Sequence, residues 1–207
     1  MMTAKEALIS LMQGNKRFLS DSASNAANIT QEERRALAAG QEPFAIILGC
    51  ADSRVPAELV FDQGLGDLFV IRVAGNVVAP SQIGSVEFAA AQFGTRLVVV
   101  LGHSDCGAVK ATLEELRRPS ESRSRNLASI VDRIRPAVSD LLGSHRDEDV
   151  GSLMDSAVRA NIHASVEQLR HGSEILEELL EKDGLMIVGA EYSLETGHVD
   201  FFDGGLD

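Results

Sequence analysis

Two cysteines and one histidine occupy positions from which they could bind a single metal ion. The chain of 207 residues has only two cysteines, Cys50 and Cys106, and His103 stands three positions before the second. Thiolate and imidazole are preferred ligands of zinc, and three protein ligands with an open fourth position are typical of catalytic zinc. These residues therefore predict a zinc site. The alternative, two unrelated buried thiols, is disfavoured because both lie near a histidine at predicted strand ends.

Asp52 and Arg54 follow Cys50 closely. A carboxylate beside a guanidinium can form a bidentate pair, so Asp52 has two candidate partners, Arg54 and the metal. The simpler alternative is an ordinary ion pair within a loop.

Continuous apolar runs alternate with segments of helical periodicity, which predicts an α/β fold with a mostly parallel central sheet of four strands flanked by helices. The runs are residues 44–49, 68–73, 97–101 and 185–188, and residues 197–202 predict an antiparallel edge strand. Ligands bind at the carboxyl ends of such strands, so the segments after the first and third strands should converge. We expect one domain over residues 1–207, with a helical arm (1–40) that packs on its own core or on a partner subunit and an α/β core (41–207).

Two helix starts are predicted from local residues. Thr30 and Glu33 have the spacing of a capping box, and Ser81 is a candidate N-cap for the helix before the third strand.

The net charge of −12 disfavours nucleic acid or an anionic membrane as a partner, since both require clustered Lys and Arg. No apolar run reaches the roughly 18 residues of a membrane span, and the first residues lack the pattern of a signal peptide. We therefore expect a cytoplasmic protein. Gly102 and Gly107 have the glycine spacing of a phosphate loop, but the Lys-Ser/Thr pair is missing, which disfavours nucleotide binding.

The sequence resembles the β-class carbonic anhydrases. The resemblance rests on Cys-x-Asp-x-Arg at residues 50–54 and His-x-x-Cys at residues 103–106, and extends through residues 61–64, 72–76 and 84–88. It implies zinc, one ion per subunit, and reversible hydration of carbon dioxide to bicarbonate by attack of a zinc-bound hydroxide. It also implies catalytic roles for Asp52 and Arg54, with Asp52 on zinc only in a closed state, and a homodimer or homotetramer whose N-terminal helices extend over the partner.

The resemblance also implies a substrate pocket, whose residues here would be Gln41, Phe69, Ala74, Phe88 and Gly107. One branch of the family has an allosteric bicarbonate site built from Trp, Arg and Tyr. Arg72 and Tyr192 match it, but Ile47 replaces the Trp, which favours the branch without that site.

Two other functions remain open. A hydrolase of carbonyl sulfide or carbon disulfide would share the fold and the ligands, and a non-catalytic zinc-binding module would use Asp52 as a permanent fourth ligand.

Overall fold

A five-stranded sheet forms the centre of the molecule. The computed structural model describes residues 2–23, 30–119, 124–144 and 150–205. The strands are β1 (Ala45–Cys50), β2 (Leu68–Val73), β3 (Leu97–His103), β4 (Met186–Tyr192) and β5 (Val199–Asp203). Their order is β2-β1-β3-β4-β5, and all neighbours are parallel except the antiparallel pair β4–β5. The predicted fold class is confirmed.

Helices cover both faces of the sheet, and successive residues of β1 alternate between the two layers. Ile46 and Leu48 face one apolar cluster, whereas Ala45 and Ile47 face the other. Burial on both faces explains why the strands have no polar alternation. None of the helices described is both long and apolar enough to cross a membrane. The helices are α1 (Ala4–Leu19), α2 (Gln31–Leu37), α3 (Ala57–Val60), α4 (Pro80–Gln92), α5 (Gly107–Arg117), α6 (Arg125–Val138), α7 (Leu141–Ser144), α8 (Val150–His171) and α9 (Glu174–Lys182).

Helix α1 packs on the core of its own chain. Leu8 and Leu11 are fully buried there. Gly14 allows close approach, because a Cβ at this position would lie 1.7 Å from the carbonyl oxygen of Phe61. Of the two sequence-based alternatives for the arm, packing on its own core is therefore observed for α1, and extension over a partner stays a prediction.

The two predicted helix starts have different outcomes. The Thr30–Glu33 capping box is present, with the Glu33 amide donating to Thr30 Oγ1 (3.2 Å) and the Thr30 amide donating to Glu33 Oε2 (2.7 Å). The prediction for Ser81 is wrong, because Ala79 is the N-cap and α4 begins at Pro80, two residues earlier than predicted. Pro80 takes the first helical position, where its fixed φ suits the helix and its missing N–H costs nothing.

Candidate metal centre

The three predicted ligands converge at the carboxyl end of two neighbouring strands. Cys50 is the last residue of β1, His103 is the last residue of β3, and Cys106 is the N-cap of α5. Because β1 and β3 are parallel neighbours, their ends meet at the same edge of the sheet. The two sulfur atoms are 4.0 Å apart, and the three ligand atoms all lie within 4.8 Å of one another. All three residues are buried.

The orientation of His103 leaves one ring nitrogen available for a metal. Its Nδ1 lies 2.8 Å from the carbonyl oxygen of Ser104 and donates to it. The proton is thereby placed on Nδ1, so Nε2 carries the lone pair. Nε2 is buried and has no hydrogen-bond partner in the described part of the chain. A buried acceptor beside two sulfur atoms fits a metal that prefers nitrogen and sulfur ligands.

The two thiols influence each other's ionisation. The pKa of Cys50 is lowered to about 4, chiefly because the Cys106 thiol lies within hydrogen-bond distance, with His103 adding to the effect. The same contact, together with burial, raises the pKa of Cys106 well above its usual range. Without a metal the pair therefore shares one proton. A dication between the two sulfurs would allow both to ionise.

Arg72 and Gly75 hold the Cys50 segment. Arg72 Nε donates to the Cys50 carbonyl oxygen (3.0 Å), and Arg72 Nη2 donates to the carbonyl oxygen of Asp52. The backbone amide of Gly75 donates to Cys50 Sγ (3.4 Å). Neither contact was predicted. The available signal was the position of both residues at the end of β2, which pairs directly with β1.

Asp52 and Arg54 form the predicted bidentate pair. Asp52 Oδ1 accepts from the Arg54 amide (3.0 Å) and from Nε (2.9 Å), and Oδ2 accepts from Nη2 (2.8 Å). Arg54 holds the pKa of Asp52 well below its usual range, so the carboxylate is ionised at neutral pH. Its Oδ2 also lies 3.8 Å from His103 Nε2. The carboxylate is thus anchored by Arg54 at the border of the ligand cluster.

The five predicted substrate residues occupy three separate places within one chain. Ala74 and Gly107 line one cavity together with residues of α5 and α6, and its lining includes none of the three metal ligands. Phe69 packs against Phe88, with ring centroids 6.2 Å apart, and Phe88 is 54% exposed. Gln41 lies in an exposed groove lined by residues of α2 and by the loop before β2. Among the cavities formed by the described residues, Ala74 and Gly107 thus share one, and Gln41 lines another.

Sequence and structure comparisons both relate this chain to carbonic anhydrases. A sequence model of the carbonic anhydrase family matches residues 45–199. Carbonic anhydrase 2 of Mycobacterium tuberculosis is 40% identical over 187 residues, which cover 90% of this chain and 87% of that protein. The β-carbonic anhydrase CcaA has a similar structure, with a TM-score of 0.73, 26% identity and coverage of 93% and 90% of the two chains.

A tetrameric β-carbonic anhydrase from Sordaria macrospora shares the fold, with a TM-score of 0.69 at 23% identity over 82% of this chain and 85% of that one. The ligand geometry, the match over residues 45–199 and the 40% identity support one conclusion. The chain belongs to the β-carbonic anhydrase family, and it is a carbonate dehydratase.

Proposed function

We propose that this protein hydrates carbon dioxide reversibly to bicarbonate and a proton, using one zinc ion per subunit held by Cys50, His103 and Cys106. The observation that carries the proposal is the buried cluster of three ligand atoms, in which His103 Nε2 has no partner among the described residues. Two sulfurs and one imidazole nitrogen leave the fourth tetrahedral position open, as catalytic zinc requires.

The residues around the cluster have separable roles. A bound zinc ion would supply the Lewis acidity that makes water a nucleophile near neutral pH. The Asp52 carboxylate is held by two side-chain donors of Arg54 and so would act as a fixed acceptor that orients the nucleophile. Gly107 directly follows the ligand Cys106, and the cavity that it lines with Ala74 is the proposed route by which the small apolar substrate approaches the metal.

Arg54 also keeps Asp52 from becoming a fourth ligand. Asp52 Oδ2 lies 3.8 Å from His103 Nε2, so the carboxylate is close enough to compete for a metal that this nitrogen would hold. In Arg54→Ala, the Asp52 carboxylate loses both of its side-chain donors. We expect Asp52 to take the fourth position on the metal in this variant, which should lower the hydration rate. Arg54→Lys is the control that retains the charge. A crystal structure of Arg54→Ala with water still on zinc would refute this role.

Assembly into a homodimer or homotetramer is part of the same proposal. The Sordaria macrospora neighbour is described as tetrameric. Gln41 is exposed and lies in a groove apart from the ligands of its own chain, which is compatible with a contribution to a partner's substrate pocket. Light scattering would give the subunit number, and Gln41→Ala should raise the KM of an oligomeric enzyme. We also propose a cytoplasmic location, because Cys50 and Cys106 must stay reduced to hold the metal and a reducing compartment keeps them so.

The allosteric bicarbonate site is proposed to be absent. Ile47, which stands where that site needs Trp, is fully buried in β1. Arg72 is bound to the carbonyl oxygens of Cys50 and Asp52. Added bicarbonate should therefore inhibit only as a product.

The decisive experiment is stopped-flow hydration of carbon dioxide with zinc analysis, on wild type and Cys50→Ser, with the exposed neighbour variant Ser53→Ala as control. We expect Cys50→Ser to lose zinc and activity together and Ser53→Ala to keep both. Two thiolates neutralise the metal charge, so the wild-type rate should rise toward alkaline pH. A flat pH–rate profile, or activity that survives loss of zinc, contradicts the proposal.

The same measurements separate the two alternative functions. Sulfide release from carbonyl sulfide in preference to hydration would identify a hydrolase, and bound zinc without hydration would identify a binding module.

A further inference from the structure

Helix α8 contacts the turn that donates to the metal ligand Cys50. This turn, Ala74–Asn76, follows β2 and carries the Gly75 amide that lies 3.4 Å from Cys50 Sγ. Asn161 Nδ2 donates to the carbonyl oxygen of Gly75 (2.8 Å), and Ser165 Oγ donates to the carbonyl oxygen of Asn76 (3.1 Å). Asn161 is 2% exposed and Ser165 is 4% exposed. The two side chains therefore connect α8 to the metal centre through a buried path.

The turn needs support from outside because its backbone is unfavourable. Gly75 has φ = 69° and Asn76 has φ = 44°, so two consecutive residues are left-handed. Only Gly adopts this conformation freely, and Asn tolerates it as a single residue. A Cβ at Gly75 would also lie 2.9 Å from Ala108 Cβ, so the turn is tightly enclosed. Contacts from α8 are well placed to select this one conformation.

The orientation of the Gly75 amide affects the chemistry of the sulfur. An N–H that donates to a thiolate withdraws electron density from it, and contacts that orient the first ligands tune metal sites. Asn161 and Ser165 are four residues apart, so they lie on the same face of α8 and reach successive carbonyl groups of one turn.

We propose that Asn161 is a positioning residue for the metal centre, assisted by Ser165. Asn161 holds Gly75 so that its amide donates to Cys50 Sγ, which stabilises the lone pairs of the thiolate and keeps the ligand cluster organised. The inference depends on the proposed zinc site.

The test compares Asn161→Leu, which removes the donor at similar volume, with Ser165→Ala and the control Val166→Ala. Val166 is fully buried on α8 and lies beside Gly189 of β4. Zinc affinity is measured by chelator competition, and the thiolate-to-cobalt charge-transfer band is recorded on the cobalt-loaded proteins. In Asn161→Leu we expect zinc affinity to fall roughly 10- to 100-fold and the band to move to longer wavelength. Ser165→Ala should show smaller changes in the same direction. Val166→Ala should melt at lower temperature with unchanged metal properties.

Each outcome has a defined meaning. Wild type that binds neither zinc nor cobalt refutes the proposed function. Wild type that binds both, with an unchanged band and affinity in Asn161→Leu, refutes only the role of Asn161. Metal properties that change equally in Val166→Ala also refute it, because they would reflect general loss of packing. If Asn161→Leu does not fold, Ser165→Ala decides, and a wild-type band and affinity in that variant overturn the inference.

Discussion

Replacement of Asn15 by Leu should destabilise the protein through the loss of three defined hydrogen bonds. Asn15 is 4% exposed on α1. Its Nδ2 donates to the carbonyl oxygens of Val60 (3.1 Å) and Gly197 (2.9 Å), and its Oδ1 accepts from the amide of Val199 (3.0 Å). One side chain thus joins the N-terminal helix to the end of α3 and to the start of β5. Leucine has a similar volume and replaces none of these bonds.

The size of the effect follows from the partners left behind. A typical hydrogen bond contributes about 1 kcal/mol net, and a buried group left unpaired costs about 1–3 kcal/mol. The three bonds therefore give an expected loss of about 3 kcal/mol in the free energy of unfolding. This value takes the low end of the cost for each unpaired group, because the carbonyl groups can bind water instead. For a chain of this size, that loss lowers the melting temperature by roughly 6–12 °C.

The assay is thermal denaturation at one fixed protein concentration, because assembly would make the melting temperature depend on concentration. Gln13→Leu is the matched control, since Gln13 is an exposed polar residue on the same helix. We expect Gln13→Leu to change stability by less than about 0.5 kcal/mol. Equal melting temperatures for Asn15→Leu and Gln13→Leu would show that the Asn15 bonds do not connect α1 to the core.

Two further predictions concern backbone conformation and pH. Gly75→Ala should destabilise the protein by roughly 2–5 kcal/mol in a urea titration, because φ is 69° and the new Cβ would lie 2.9 Å from Ile134 Cδ1; an unchanged midpoint would contradict the geometry of the turn. Burial raises the pKa of Glu191, and Arg159 offsets only part of this effect. Because the pKa of Glu191 is higher in the folded chain than in the unfolded chain, the protonated form stabilises the fold. This stabilisation is present at acid pH and is lost as pH rises through the raised pKa. Glu191→Gln should therefore lose less stability than wild type as pH rises from below the ordinary glutamate pKa of 4.5 through the raised pKa; parallel stability profiles for the two proteins would refute the assignment.

The ligand cluster could be predicted because its position depends on strand ends. Cys50 and His103 each close an apolar run, and such runs indicate strands buried on both faces. Once the strands are parallel, their carboxyl ends share one edge, so the convergence follows from topology. The Asp52–Arg54 pair was also predictable, because the two residues are local in sequence and their charges are complementary.

The buried polar contacts could not be predicted in the same way. Asn15, Asn161 and Ser165 bond to main-chain atoms that are between 45 and 184 positions away in sequence. A sequence pattern identifies a side chain but not its backbone partner. The available signal was weaker, a polar residue within the apolar stripe of a helix, which is costly unless a partner is present. The predicted substrate residues are separated for a related reason, because Gln41 is exposed in the loop before β1 and Phe88 is exposed on α4.

Main-chain groups provide several contacts of the metal centre, and this determines which positions can vary. The carbonyl of Ser104 orients His103, and the amide of Gly75 contacts Cys50 Sγ. A change of side chain at Ser104 leaves its carbonyl in place and removes only the hydrogen bond that Ser104 Oγ accepts from the Leu194 amide (3.0 Å), so the histidine tautomer should withstand most substitutions there. Gly75 has no such freedom, because its conformation excludes a side chain. In a saturation mutagenesis screen for hydration activity, Ser104 should therefore be permissive and Gly75 nearly invariant, although both positions adjoin the same ligands.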